Sequence, residues 1–101
     1  MSYKGKDLSP EFKKFFRTEK RRITENLTKM CCTKIELDYG FYYFSGFFTS
    51  ASGQIYYLCV SDVRHFPYER IMYRTAKDYK DYSGGTNQYV DRYEIKKMNL
   101  I

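Results

Sequence analysis

No apolar run in this chain of 101 residues approaches the ~20 residues that a membrane-spanning helix requires. The opening stretch MSYKGKDLSP also lacks an apolar segment of signal-peptide type, so a cytoplasmic protein with no membrane partner is expected. Cysteine is scarce: of the three, Cys31 and Cys32 are adjacent, and neighbouring residues do not easily reach ordinary bridge geometry. Free thiols follow. No C-x-x-C unit occurs, and in the set Cys31, Cys32, Cys59 and His65 a single long gap separates Cys32 from Cys59, so no metal and no cofactor is implied.

Catalytic vocabulary is thin as well. His65 is the only histidine, and the loop SDVRHFPY gathers Ser61, Asp62, Arg64, His65 and Tyr68. Those residue types could move protons and hold phosphate in a small endoribonuclease, although a lone loop histidine is more often structural or solvated. The Glu-x-Lys tripeptide at 94–96 has no uniquely placed upstream acid for a metal-dependent nuclease. Ser83-Gly84-Gly85-Thr86 lacks the lysine and length of a phosphate-binding P-loop and reads as a turn. Neither a helix-turn-helix pair, nor finger spacing, nor an RNP-type aromatic motif is visible, so any nucleic-acid contact should be to the backbone. The chain is expected to be non-enzymatic.

What is present is charge and tyrosine, unevenly placed. The formal net charge is +6; residues 1–34 hold ten Lys and Arg against four acids, and residues 35–101 hold eight against eight. The whole excess lies in the first third, the part that should attract nucleic acid or an acidic partner. Twelve Tyr and eight Phe exceed what one small core absorbs, since each ring covers ~150–250 Å², so some tyrosines must reach the surface.

Ser9-Pro10-Glu11 is a helix start, with a capping hydroxyl, a proline suited to the first turn and an acid at the positive end of the dipole. The helix should run from Pro10 to about Met30. Phe12, Phe16, Ile23, Leu27 and Met30 fall in a sector of about 60°, which makes the core stripe. Phe15 lies off it, at an edge. Lys13, Lys14, Arg17, Lys20, Arg21 and Arg22 place six cations in ten residues on the remaining faces, a surface able to neutralise phosphates.

After Cys32 the period changes to two. Ile35 and Leu37 alternate with acids, FYYFSGFFT (41–49) and QIYYLCV (54–60) read as a hairpin, RIMYR (70–74) as a fourth strand and QYVDRYEIK (88–96) as a last one. That last strand should set Tyr89, Tyr93 and Ile95 on one face and Arg92, Glu94 and Lys96 on the other. Tyr39-Gly40 reads as a turn, and Gly46 as a bulge or a close approach of the helix. Thr75 and Asp78 resemble a capped start, and Gly84 an end, for a two-turn helix over KDYKDY, docked by Ala76 and Tyr79. The aromatic pairs of both central strands point to both sheet faces, leaving one face with an uncovered patch.

The expected fold is therefore α+β: one domain over 1–101, with a long N-terminal helix at about 10–30 packed on an antiparallel sheet of four or five strands within 34–96, and a short helix before the last strand. Tyr82, Tyr89, Arg64 and Tyr68 join the cations as candidate binding residues, and dimerisation through an aromatic face or strand edge fits the same composition.

In size and in its lysine- and tyrosine-rich composition the chain resembles the small orphan early proteins of bacteriophages and mobile elements, among them inhibitors of CRISPR nucleases. The likeness covers composition rather than aligned residues. It implies a stoichiometric inhibitor that binds a protein or nucleoprotein target, such as a nuclease of a bacterial defence system, inside the bacterial host cell. Direct nonspecific binding of DNA or RNA and a small endoribonuclease toxin stand as the alternatives.

Overall fold

The computed structural model describes residues 10–39, 43–61 and 70–101, with the backbone but not the side chains of Phe12, Tyr39, Tyr43 and Ser61. The helix read from the apolar stripe forms as α1 (Pro10–Lys29). Pro10 stands in the first turn, where its missing amide is not needed, and Glu11 meets the positive end of the dipole. Ser9, the expected cap, lies outside the described residues.

The helix ends by a device that the reading of Cys31-Cys32 missed. The Cys32 amide donates to the Leu27 carbonyl at 2.9 Å and the Cys31 amide to the Thr28 carbonyl at 3.0 Å, the two bonds of a Schellman motif. Cys31 takes the left-handed conformation at φ 65°. Cys32 and Leu27 are both buried in the main core, supplying the apolar contact that accompanies this ending.

Five strands follow: β1 (Thr33–Tyr39), β2 (Tyr43–Thr49), β3 (Ile55–Ser61), β4 (Arg70–Ala76) and β5 (Gln88–Asp91). They form one antiparallel meander in the order β1-β2-β3-β4-β5. The α+β class, the helix-first order and the antiparallel sheet are as expected. Register aligns Leu37, Gly46, Leu58 and Tyr73 across four strands, and Phe44, Val60, Ile71 and Val90 across another row. Both rows face α1, where Ile23 and Leu27 are fully buried, together with Phe48 and Tyr56. Phe16 and Met30 pack against this core from its margin, and the side chain of Phe12 lies outside the described set.

Gly46 marks a close approach, but of β1 rather than of the helix: a methyl group there would collide with the Glu36 carbonyl. The Tyr39-Gly40 turn falls outside the described residues.

The short helix expected over KDYKDY does not form. β4 continues to Ala76, which stays paired with Ile55, and residues 77–87 are bends and turns. Asp78 accepts the Tyr79 amide at 2.8 Å and Lys80 turns left-handed at φ 68°, so the local hydrogen bonds favour a turn over a helical continuation. The one short helix in the described residues is a 3-10 turn, Ile95–Lys97, and it follows β5.

The last strand is correspondingly shorter than the alternation implied. Asp91 accepts the Tyr93 amide at 2.8 Å, and the Glu94 amide donates to the Asp91 carbonyl at 2.9 Å, closing a turn at the strand's end. This breaks the expected alternation, parting Ile95 from Tyr93: Arg92 swings inward and is buried, Ile95 enters the core, and Tyr93 is left 63% exposed. The chain then runs back across the helix side of the sheet, where the Tyr73 and Tyr56 hydroxyls accept the amides of Asn99 and Ile101, each at 2.8 Å. Buried phenols thereby gain the partners that they require.

Candidate binding surface

The cationic flank of α1 is built by helical spacing alone. Lys13, Lys14, Arg17, Lys20 and Arg21 are all exposed, along one flank of the helix beside the stripe of Ile23 and Leu27. Among the described residues none of these five enters an ion pair. Phe16, Arg17, Lys20, Arg21, Thr24 and Glu25 line a shallow groove of about 460 Å³, with the Lys20 ammonium 5.5 Å from the centre of the Phe16 ring. The flank thus offers free positive charge with an aromatic floor beside it.

Arg22, the sixth cation, belongs elsewhere. It lies on a different side of the helix, where Nη2 meets Glu19 Oε1 at 2.5 Å and Nη1 donates to the Arg92 carbonyl. Glu19 Oε2 takes Arg92 Nη2 at 3.0 Å, with both of those side chains only 6–7% exposed. Phe15 and Tyr93 place their rings 5.5 and 5.0 Å from the Arg92 guanidinium. This buried cluster ties the helix to the segment after β5. Among the described residues Arg92 Nε and Nη1 and Arg22 Nε have no hydrogen-bond acceptor, and the Phe15 and Tyr93 rings add to the compensation that Glu19 gives the two guanidinium groups. The signal for it was legible, because Glu19 stands four residues from both Phe15 and Ile23, an acid at the margin of the core stripe.

The tyrosines divide between two sides of the sheet. On the side away from α1, Phe47, Tyr57 and Ala76 are buried, with Ile55, Cys59, Met72 and Tyr79 packed on them. Residues 77–87 fold over part of this patch. Tyr79 lies 5.6 Å from Phe47, its hydroxyl donates to the Lys34 carbonyl at 2.6 Å and accepts from Thr49 at 2.9 Å. Tyr82 sits 5.4 Å from Phe47 and 5.5 Å from Tyr57 while remaining 60% exposed. Arg74 fastens the loop from below, with its guanidinium 4.8 Å from the Tyr57 ring, Nη1 on Asn87 at 3.0 Å and Nη2 on the Tyr82 carbonyl. Asp81, through its bonds to the Ser83 hydroxyl and amide, is held below the ordinary aspartate pKa. KDYKDY is therefore a docked turn in which Ala76 and Tyr79 make the contact expected of them and Tyr82 adds a second.

Tyr89 also lies on this side, 55% exposed, with the Arg70 guanidinium 5.1 Å from its ring. Arg64, His65 and Tyr68 lie outside the described residues. Exposed Tyr93, on the opposite flank beside Arg22, was not among the anticipated contacts.

The thiols do not converge. Cys32 is in the core beneath α1, Cys59 packs on the other side of the sheet, and Cys31 is exposed. Burial raises the Cys32 pKa, with a further push from Cys31; burial also raises that of Cys59, against the opposing influence of Tyr57 and Arg74. A raised pKa favours the thiol over the nucleophilic thiolate at both positions. Among the described residues no three His, Cys, Asp or Glu side chains cluster as metal ligands, and no helix is long and apolar enough to cross a membrane. Comparison with family models, curated proteins and solved structures found no match to this chain.

Proposed function

We propose that this chain is a non-enzymatic binding protein that docks the cationic flank of α1 on the acidic or phosphate-bearing surface of a nucleic-acid-handling target. The observation that carries the reading is the state of Lys13, Lys14, Arg17, Lys20 and Arg21: exposed, on one side of a helix, and without an ion pair among the described residues, whereas Arg22 is already engaged. Unpaired cations on a rigid rod speed encounter with an acidic surface and keep their charge for the partner. Exposed Tyr82 and Tyr89 are backed by other side chains, which suits aromatic anchors at an interface. The compositional resemblance to phage and mobile-element inhibitors points to a bacterial defence nuclease as the class of target.

The test is affinity capture from bacterial lysates, including phage-infected cells, with and without nuclease digestion, followed by mass spectrometry and nucleic-acid extraction. The expected outcome is a salt-sensitive target that survives digestion and is lost when Lys13, Lys14, Arg17 and Arg21 are changed together to Glu. Capture of nucleic acid alone would favour direct phosphate binding, with a log affinity against log salt slope of about −4 to −5 for five duplex phosphates neutralised. Undiminished capture by the reversed variant would sink both.

A further inference from the structure

We propose that the outer edge of β1 accepts an extended peptide as an added strand, and that the segment it fits alternates apolar side chains with arginine or lysine. This proposal stands apart from the docking of α1, since it rests on a sheet edge and takes from the helix cations only the aliphatic stem of Lys20.

The strand order leaves β1 and β5 at the margins of the sheet. β5 has four residues and is closed by the Asp91 turn, so it offers little to pair with. β1 has seven. A register irregularity between Thr33 and Glu36, with Lys34 at φ 51°, interrupts its first half in the way edge strands are commonly protected. From Glu36 to Tyr39 its pairing with β2 is regular, and no described strand lies along its other side. That side carries outward-directed amides and carbonyls, the groups by which an added strand is held.

The edge opens into a cleft of about 480 Å³. Lys20 of α1 walls it on one sheet face, and Lys80 and Tyr82 wall it on the other. An incoming strand keeps the two-residue alternation, so its side chains form two rows. One row lies beside Ile35 and Leu37, which face the main core, and beneath the aliphatic stem of Lys20; apolar groups fit there. The other lies beside Glu36, an exposed carboxylate on the face that carries the Tyr82 ring. A guanidinium or ammonium in this row pairs with the acid and stacks on the ring.

A second copy of the chain is a poor occupant. Antiparallel overlap of β1 with itself about Leu37 sets Glu36 opposite Asp38, and like charges directly across a strand pair destabilise it. The net charge of +6 also opposes nonspecific attachment of a basic peptide, so any affinity for one has to arise locally.

The experiment uses the full chain and two fluorescent peptides, one alternating valine with arginine and the other valine with glutamate. Anisotropy should show binding of the Val/Arg peptide, and amide exchange should show new protection in β1 with β5 unchanged. Glu36→Lys, at an exposed position, should keep the fold and weaken binding about tenfold or more, as for reversing one close charge pair. Joint change of Lys13, Lys14, Arg17 and Arg21 to Gln should leave the affinity within about twofold at physiological salt, since none of the four lines the cleft and exposed charges are screened there. Failure of α1 docking and failure of this site are thereby separable. Absence of binding, preference for the Val/Glu peptide, protection at β5, or a peptide-free dimer protected along β1 would each overturn the proposal.

Discussion

Cys31 occupies a backbone conformation, φ 65°, that places its Cβ against the neighbouring carbonyl and costs an L-residue ~1–2 kcal/mol. It does so because the Schellman ending of α1 needs a left-handed residue at that point, and the exposed side chain contributes little in return. Glycine removes the clash and gives back only part of the gain through greater unfolded-state freedom. Cys31→Gly should therefore stabilise the fold by about 1 kcal/mol, read as a higher denaturant midpoint at unchanged slope. A lower midpoint would show that the thiol makes a contribution the backbone argument omits. Nothing in the residue's type announces this role. A glycine at 31 would have marked the helix end; a cysteine pair reads first as redox or metal chemistry, and only the hydrogen bonds to Leu27 and Thr28 assign it to the backbone.

For the individual elements, the long helix and the first four strands matched their reading, while the KDYKDY helix and the second half of the last strand did not. Ile23 and Leu27 on α1, and the alternation through Phe44, Phe48, Tyr56 and Leu58, encode burial many times over, so no single local preference can overturn the pattern. Residues 77–87 carry no such redundancy. Two turns of helix gain too few bonds to persist alone, and side chains such as Asp78 and Asp81 bond their own neighbouring amides instead. What holds this loop is the sheet beneath it, through Arg74 and Tyr79. Tyr79→Phe keeps the ring on Phe47 but removes the hydroxyl that links Lys34 and Thr49, so a loss of about 1 kcal/mol is expected. Hydrogen exchange should rise in residues 77–87 before it rises elsewhere. Unchanged exchange would place the loop's anchorage in ring packing alone.

In the molecule as a whole, the contact between α1 and the segment after β5 rests on Glu19, Arg22 and Arg92, brought together from positions about seventy residues apart. Two buried charges are costly to strip of water and are stable only as a pair. Removing one leaves the other stranded. Glu19→Ala should cost ~3–5 kcal/mol in chemical denaturation, whereas Glu19→Leu combined with Arg92→Met should recover much of that loss because neither charge then remains. Equal losses in the single and double variants would mean that packing, not charge, dominates there. The sequence by itself determined the long helix, its apolar and cationic sides, and an antiparallel sheet of aromatic strands, because each of these repeats within a few residues along the chain. Tertiary structure alone decided which sheet face α1 covers, that Arg22 leaves the cationic flank, that Arg92 turns inward, and that β1 is the long open edge. Those outcomes depend on which distant groups meet in space, and a charge or an edge does not carry its partner's identity in its own neighbours.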